Sequence, residues 1–119
     1  MDNILLNFVK AANQGDFSLD LTLNVNGALV TGTTVSAKKY MQSLSRTFEN
    51  GNEISQELSE KLSRASEVNY AHEEISYIHL EEAQVYNGDS KPTPSEGSFY
   101  WRGKLDEVDG FFLGKIDAN

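Results

Sequence analysis

Cysteine is absent from this chain, which removes a disulfide scaffold, a thiol nucleophile and every thiolate metal site at once. The absence agrees with a reducing compartment. Proline is nearly missing: Pro92 and Pro94 share one stretch, so little else in the 119 residues forbids regular structure. Bases are outnumbered, ten Lys and Arg against eighteen Asp and Glu, for a net charge of -8. That balance disfavours nucleic acid and anionic membrane surfaces, both of which reward cations. No window approaches the roughly 18 continuous apolar residues of a membrane span. The start, Met1-Asp2-Asn3, is acidic where a signal peptide is basic, and Asp2 stands where myristoylation requires glycine. Together these absences predict a soluble, unanchored, cytoplasmic protein with no membrane and no nucleic-acid partner.

Reactive constellations are missing as well. His72 and His79 are the only histidines, and His72-Glu73-Glu74 lacks the second histidine four residues on that a zinc helix uses, so both read as ordinary surface or strand residues. Asp106-Glu107-Val108-Asp109-Gly110 lacks the alternating ligands and distal glutamate of a calcium loop and reads as a charged turn. Gly88-Asp89-Ser90 is not a nucleophile elbow, and the stretch from Gly110 to Gly114 has neither the lysine nor the helix of a phosphate loop. The expectation is no metal, no cofactor and no catalytic residue. An enzyme using Asp106, Glu107 or Asp109 as acid or base is the weakest of the readings.

What is present describes one domain, since a chain this long buries roughly two thirds of its unfolded surface around a single core. Ile4, Leu5, Phe8 and Val9 recur at helical spacing before Gly15 and predict an N-terminal helix within residues 1–15. Phe17, Leu19, Leu21, Leu23 and Val25 alternate with Ser18, Asp20, Thr22 and Asn24, a period of two that predicts a strand with one wet face. Asn26-Gly27 is the tight-turn dipeptide, and residues 28–35 return as a second strand with a bend at Gly32.

Ser36 caps a stripe of Tyr40, Met41, Leu44 and Phe48; Ile54, Leu58 and Leu62 form a second, so residues 36–70 are expected to be a helical hairpin. Residues 49–82 carry -7, and the hairpin is therefore expected to be acidic and to repel its own copy. Three strands follow within 76–116: one with a bulge near Glu81-Glu82, then, after an exposed loop at 87–97, one around Phe99–Leu105 and one around Phe111–Ile116. The layout predicts an α+β fold: a small five-stranded antiparallel barrel or strongly curled sheet, resembling Sm-like and SH3-like barrels, with an N-terminal helix and an inserted helical hairpin.

Phe99, Tyr100, Trp101, Phe111 and Phe112 form an aromatic cluster, and adjacent aromatics on strands cannot all face one core. Tyr100, Trp101, Phe111 and Phe112, with Arg102 beside them, are therefore the candidate protein-interaction surface, either a seam between copies or a docking face for another protein.

Three stretches carry a resemblance. Phe17-Ser-Leu-Asp-Leu-Thr-Leu-Asn-Val-Asn-Gly27, Asn87-Gly-Asp-Ser-Lys-Pro-Thr-Pro-Ser95 and Tyr100-Trp-Arg-Gly-Lys-Leu-Asp-Glu-Val-Asp-Gly-Phe-Phe-Leu-Gly-Lys-Ile116 resemble the gas vesicle accessory protein U family (GvpU). The resemblance runs from about Phe8 to Ile116. It implies a non-enzymatic accessory protein of the bacterial gas vesicle. With the aromatic strands, the expectation is a self-associating homo-oligomer whose partners are the vesicle shell or other gas vesicle proteins. Without it, the layout alone would fit an Sm-like or SH3-like module that binds a peptide or nucleic acid.

Overall fold

A first helix, α1 (Asn3–Gln14), turns Leu5, Val9 and Ala12 inward at three- and four-residue intervals. It is seen in a computed structural model that describes residues 3–67, 75–88 and 91–116. Asp2, His72, Glu73, Glu74, Asp89 and Ser90, singled out above, lie outside those residues. Leu5 and Val9 meet Leu21, Leu23, Val30, Ile78, Leu80, Ala83 and Leu105 in one apolar core. Each buried leucine or isoleucine contributes about 1.5–3 kcal/mol.

The first hairpin joins β1 (Asp20–Val25) to β2 (Ala28–Thr34) in antiparallel register, Leu23 opposite Val30. Its turn uses positive φ at both Asn26 (52°) and Gly27 (87°), the conformation that the Asn-Gly dipeptide adopts at least cost. Asn24 Oδ1 accepts from the Gly27 amide, and Asp109 Oδ2 accepts from the Asn26 amide at 2.9 Å. The carboxylate of the charged turn thus ties the two turns together.

α2 (Ala37–Phe48) starts at Ser36, whose side chain accepts from the Lys39 amide, and α3 (Glu53–Ser66) starts at Asn52, which accepts from Ser55. Next comes β3 (Tyr77–Tyr86). Its register shifts between Leu80 and Ala83, where Glu82 takes φ 52°, so the bulge falls at Glu81-Glu82 as the broken alternation predicts. β4 (Phe99–Lys104), a 3₁₀ turn at Leu105–Glu107 and β5 (Gly110–Leu113) complete the chain's elements. The loop before β4 is tethered rather than free: Thr93 exchanges two backbone bonds with Val85, and Pro92 is buried.

The sheet order is β4-β3-β2-β1-β5, antiparallel throughout. The fold is α+β, but the expected barrel does not close: β5 pairs with β1 and β4 with β3, leaving each as an edge. Parts of both faces are covered. α1 lies on the face of Leu21, Leu23 and Ile78. On the other face α2 docks beside β3, and the chain after β5 crosses β1 and β2.

That crossing overturns the expectation that Thr22 faces water. Thr22 is fully buried, its hydroxyl 3.0 Å from that of Thr31 and donating to the Gly114 carbonyl at 2.9 Å. The Ile116 amide donates to Thr31 Oγ1, and Lys115 reaches Glu82 on β3 at 3.2 Å.

The hairpin corrects a second expectation. From Ala37 to Ser66 it carries five bases (Lys38, Lys39, Arg46, Lys61, Arg64) against four acids (Glu49, Glu53, Glu57, Glu60), a net +1. The acidic window of 49–82 cut across elements: Glu81 and Glu82 belong to β3. The hairpin is not acidic, and a net charge of +1 is too small to keep two copies apart.

Candidate interaction surface

Strand alternation decides which rings turn inward. On β4, Trp101 lies on the α1 face and packs half-buried against the core. Its indole lies over Gly103, where a Cβ would collide with the ring. Tyr100 points to the opposite face, 39% exposed, its ring edge-on to Tyr40 of α2 at 6.3 Å. On β5, Phe111 packs half-buried against the core and sets its ring edge-on to Phe8 of α1 at 6.1 Å. Phe112 turns away from it and is 50% exposed.

The five predicted residues therefore do not form one patch. β4 and β5 are opposite edges of a five-stranded sheet, four strand spacings or about 19 Å apart. Two further apolar side chains on these strands are exposed: Phe99 on β4, a member of the aromatic cluster read from the sequence, and Leu113 on β5, which that reading missed. Only the backbone pairing assigns them. Phe99 sits opposite Ala83 beyond the bulge, and Leu113 sits opposite Leu21 at the end of a four-residue strand.

Arg102 joins a different group. Its guanidinium stacks on the Tyr77 ring at 3.8 Å, and its Nε donates to His79 Nε2 at 3.2 Å. Tyr40 covers the other side of the imidazole, ring centroids 4.7 Å apart. Accepting from an arginine requires a neutral ring with its proton on Nδ1. Burial, and then the adjacent Arg102 charge, holds the His79 pKa down at about 4 rather than 6.5. This cluster fastens α2 to β3. Nothing in the sequence marked it, because the spacing from Tyr40 to His79 is set by the fold alone.

A second fastening sits beside it. Lys39 Nζ lies 2.8 Å from Glu81 Oε2, and that bond raises the lysine pKa. The pair lines an open cleft of about 410 Å³ between the end of α1 and the start of α2, with Asp16, Phe17, Ser18 and Ser36. The cleft's cation and its nearest anion are bonded to each other. Among the described residues no group of three His, Asp or Glu side chains is placed to hold a metal, and no helix is long and apolar enough to cross a membrane.

Among the described residues the open sheet keeps apolar side chains exposed on both of its edge strands. Residues 2–116 match the family described as Gas vesicle protein GvpU-like, and the chain belongs to that family. No curated protein and no solved structure matches it.

Proposed function

We propose that this chain is a non-enzymatic gas vesicle accessory protein of the cytoplasm. It self-associates and acts on vesicle assembly, stabilisation or clustering by applying the rims of its sheet to the shell or to other gas vesicle proteins. One observation carries the reading: within a gas vesicle family, both edge strands keep large apolar side chains in solvent, Tyr100 and Phe99 on one, Phe112 and Leu113 on the other. Edge strands also offer unpaired backbone N–H and C=O groups, the template by which a sheet recruits another chain.

Two rims on one rigid sheet suit a repeating partner. A vesicle wall presents the same surface many times, so individually weak contacts multiply into strong retention. A protein with two such rims also bridges neighbouring surfaces. The reading needs no metal, cofactor, nucleic acid or membrane.

The test is a pull-down of the full chain against intact gas vesicles and, in parallel, against isolated shell protein. Retention by either supports the reading, and stronger retention by intact vesicles identifies the array as the partner. Retention by neither opposes it.

A further inference from the structure

Among the described residues α3 packs through one face, against α2. Ser59 and Ser66, with half-buried Ser55, turn toward α2, where Ser45 Oγ donates to the Ser59 carbonyl at 2.8 Å, and half-buried Leu62 stands at the border of that face. Small side chains let the two helices approach closely. Roughly a quarter turn away, Ile54 and Leu58 stand one above the other, 68% and 42% exposed. Large branched side chains in that position are an unpartnered apolar stripe.

The charges along the outer flank of that stripe say what fits it. Glu53 and Glu57 occupy its first half and Lys61 and Arg64 its second, where Glu60, seven residues after Glu53, stands beside Arg64. A helix whose flank changes sign halfway repels a parallel copy and attracts an antiparallel one. The register is also fixed. The pairs Glu57 with Lys61, Glu53 with Arg64, and Ile54 with Leu62 all have their midpoints within one residue of each other, between Leu58 and Ser59. A single two-fold axis there satisfies both ion pairs and closes the apolar stripe on itself. Among the described residues Arg64 is held within its own chain only by Glu60 at 3.8 Å, a pair about three-quarters exposed at both ends and therefore weak.

We propose that α3 is a homotypic dimerisation helix, pairing antiparallel with α3 of a second copy about an axis near Leu58. Glu57 of each copy meets Lys61 of the other across that axis, with Ile54, Leu58 and Leu62 between them. This surface is separate from the sheet edges, so the two contacts hold or fail independently. Two short helices bury less than the roughly 1,600 Å² of a standard interface, so the dimer is expected to depend on concentration.

Sedimentation velocity of the full chain over a concentration series decides the matter. The parent is expected to dimerise, and Glu57→Lys or Lys61→Glu alone to weaken the dimer at least tenfold by setting like charges together. An equimolar mixture of those two variants, and the double variant Glu57→Lys/Lys61→Glu, are expected to recover it. Ile54→Ser with Leu58→Ser is expected to leave a folded monomer, checked by circular dichroism, because both side chains are exposed. A parent that stays monomeric, a dimer indifferent to the single charge reversals, or no recovery in the mixture would overturn the proposal.

Discussion

The Thr22 hydroxyl donates to the carbonyl of Gly114 at 2.9 Å, joining positions 92 residues apart. The bond pins residues 114–116 across the second face of the sheet, where the Ile116 amide finds Thr31 and Lys115 finds Glu82. Thr22→Val keeps the shape and removes the donor, leaving a part-buried carbonyl without it. The expected loss is about 1–3 kcal/mol of stability by urea unfolding. A variant as stable as the parent would show that the crossing does not hold the sheet.

Leu21, its neighbour, faces the α1 side of the same strand and is also fully buried. Leu21→Asp places an unpaired charge among Leu5, Val9 and Ile78, and the cooperative melt is expected to disappear, a loss of several kcal/mol. A cooperative melt within a few degrees of the parent's would contradict the packing of α1 on this sheet.

His79 makes stability depend on pH. Its unfolded pKa is near 6.5 and its folded pKa about 4, so between those values the unfolded chain binds the extra proton. The stability that the neutral ring contributes is present in full above 6.5 and is lost as pH falls toward 4, roughly 3 kcal/mol in all. His79→Gln keeps an acceptor for Arg102 but does not titrate. Its urea midpoint is expected to fall less than the parent's between pH 7 and 4.5, a difference that cancels the carboxylates common to both. Equal falls would mean that the imidazole is not buried beneath Tyr40.

Tyr86 is buried, and among the described residues its hydroxyl has no hydrogen-bond partner. Removing an unsatisfied buried hydroxyl costs nothing in pairing, so Tyr86→Phe is expected to leave the melting temperature unchanged or to raise it. A drop equivalent to more than about 1 kcal/mol would reveal a bond that the hydroxyl makes in solution.

Local features of the fold were legible in the sequence because their causes are local. Asn26-Gly27 specified a turn with two positive φ angles, Ser36 a cap, and the broken alternation around Glu81 a bulge. What failed depended on distant partners. Whether the sheet closes is decided by β5 choosing β1 over β4, and no periodicity records that choice. Thr22 looks solvent-facing by alternation until residues 114–116 cover it, and His79 looks ordinary until α2 lays Tyr40 on it. The alternation of Tyr100 with Trp101 and of Phe111 with Phe112 did imply that one ring of each pair leaves the core. It could not place the two pairs at opposite edges.

The most direct test of the account is flotation of purified gas vesicles with the parent, Phe112→Ser, Tyr100→Ser and Phe111→Ser, each first checked by thermal melting. Phe112 and Tyr100 are exposed, so their variants are expected to melt like the parent, whereas Phe111→Ser empties a space against Phe8 and the core and is expected to destabilise. The parent is expected to float with the vesicles, and Phe112→Ser and Tyr100→Ser to remain folded but stay largely in the subnatant. Folded edge variants that float as fully as the parent would contradict the assignment of vesicle contact to the sheet edges.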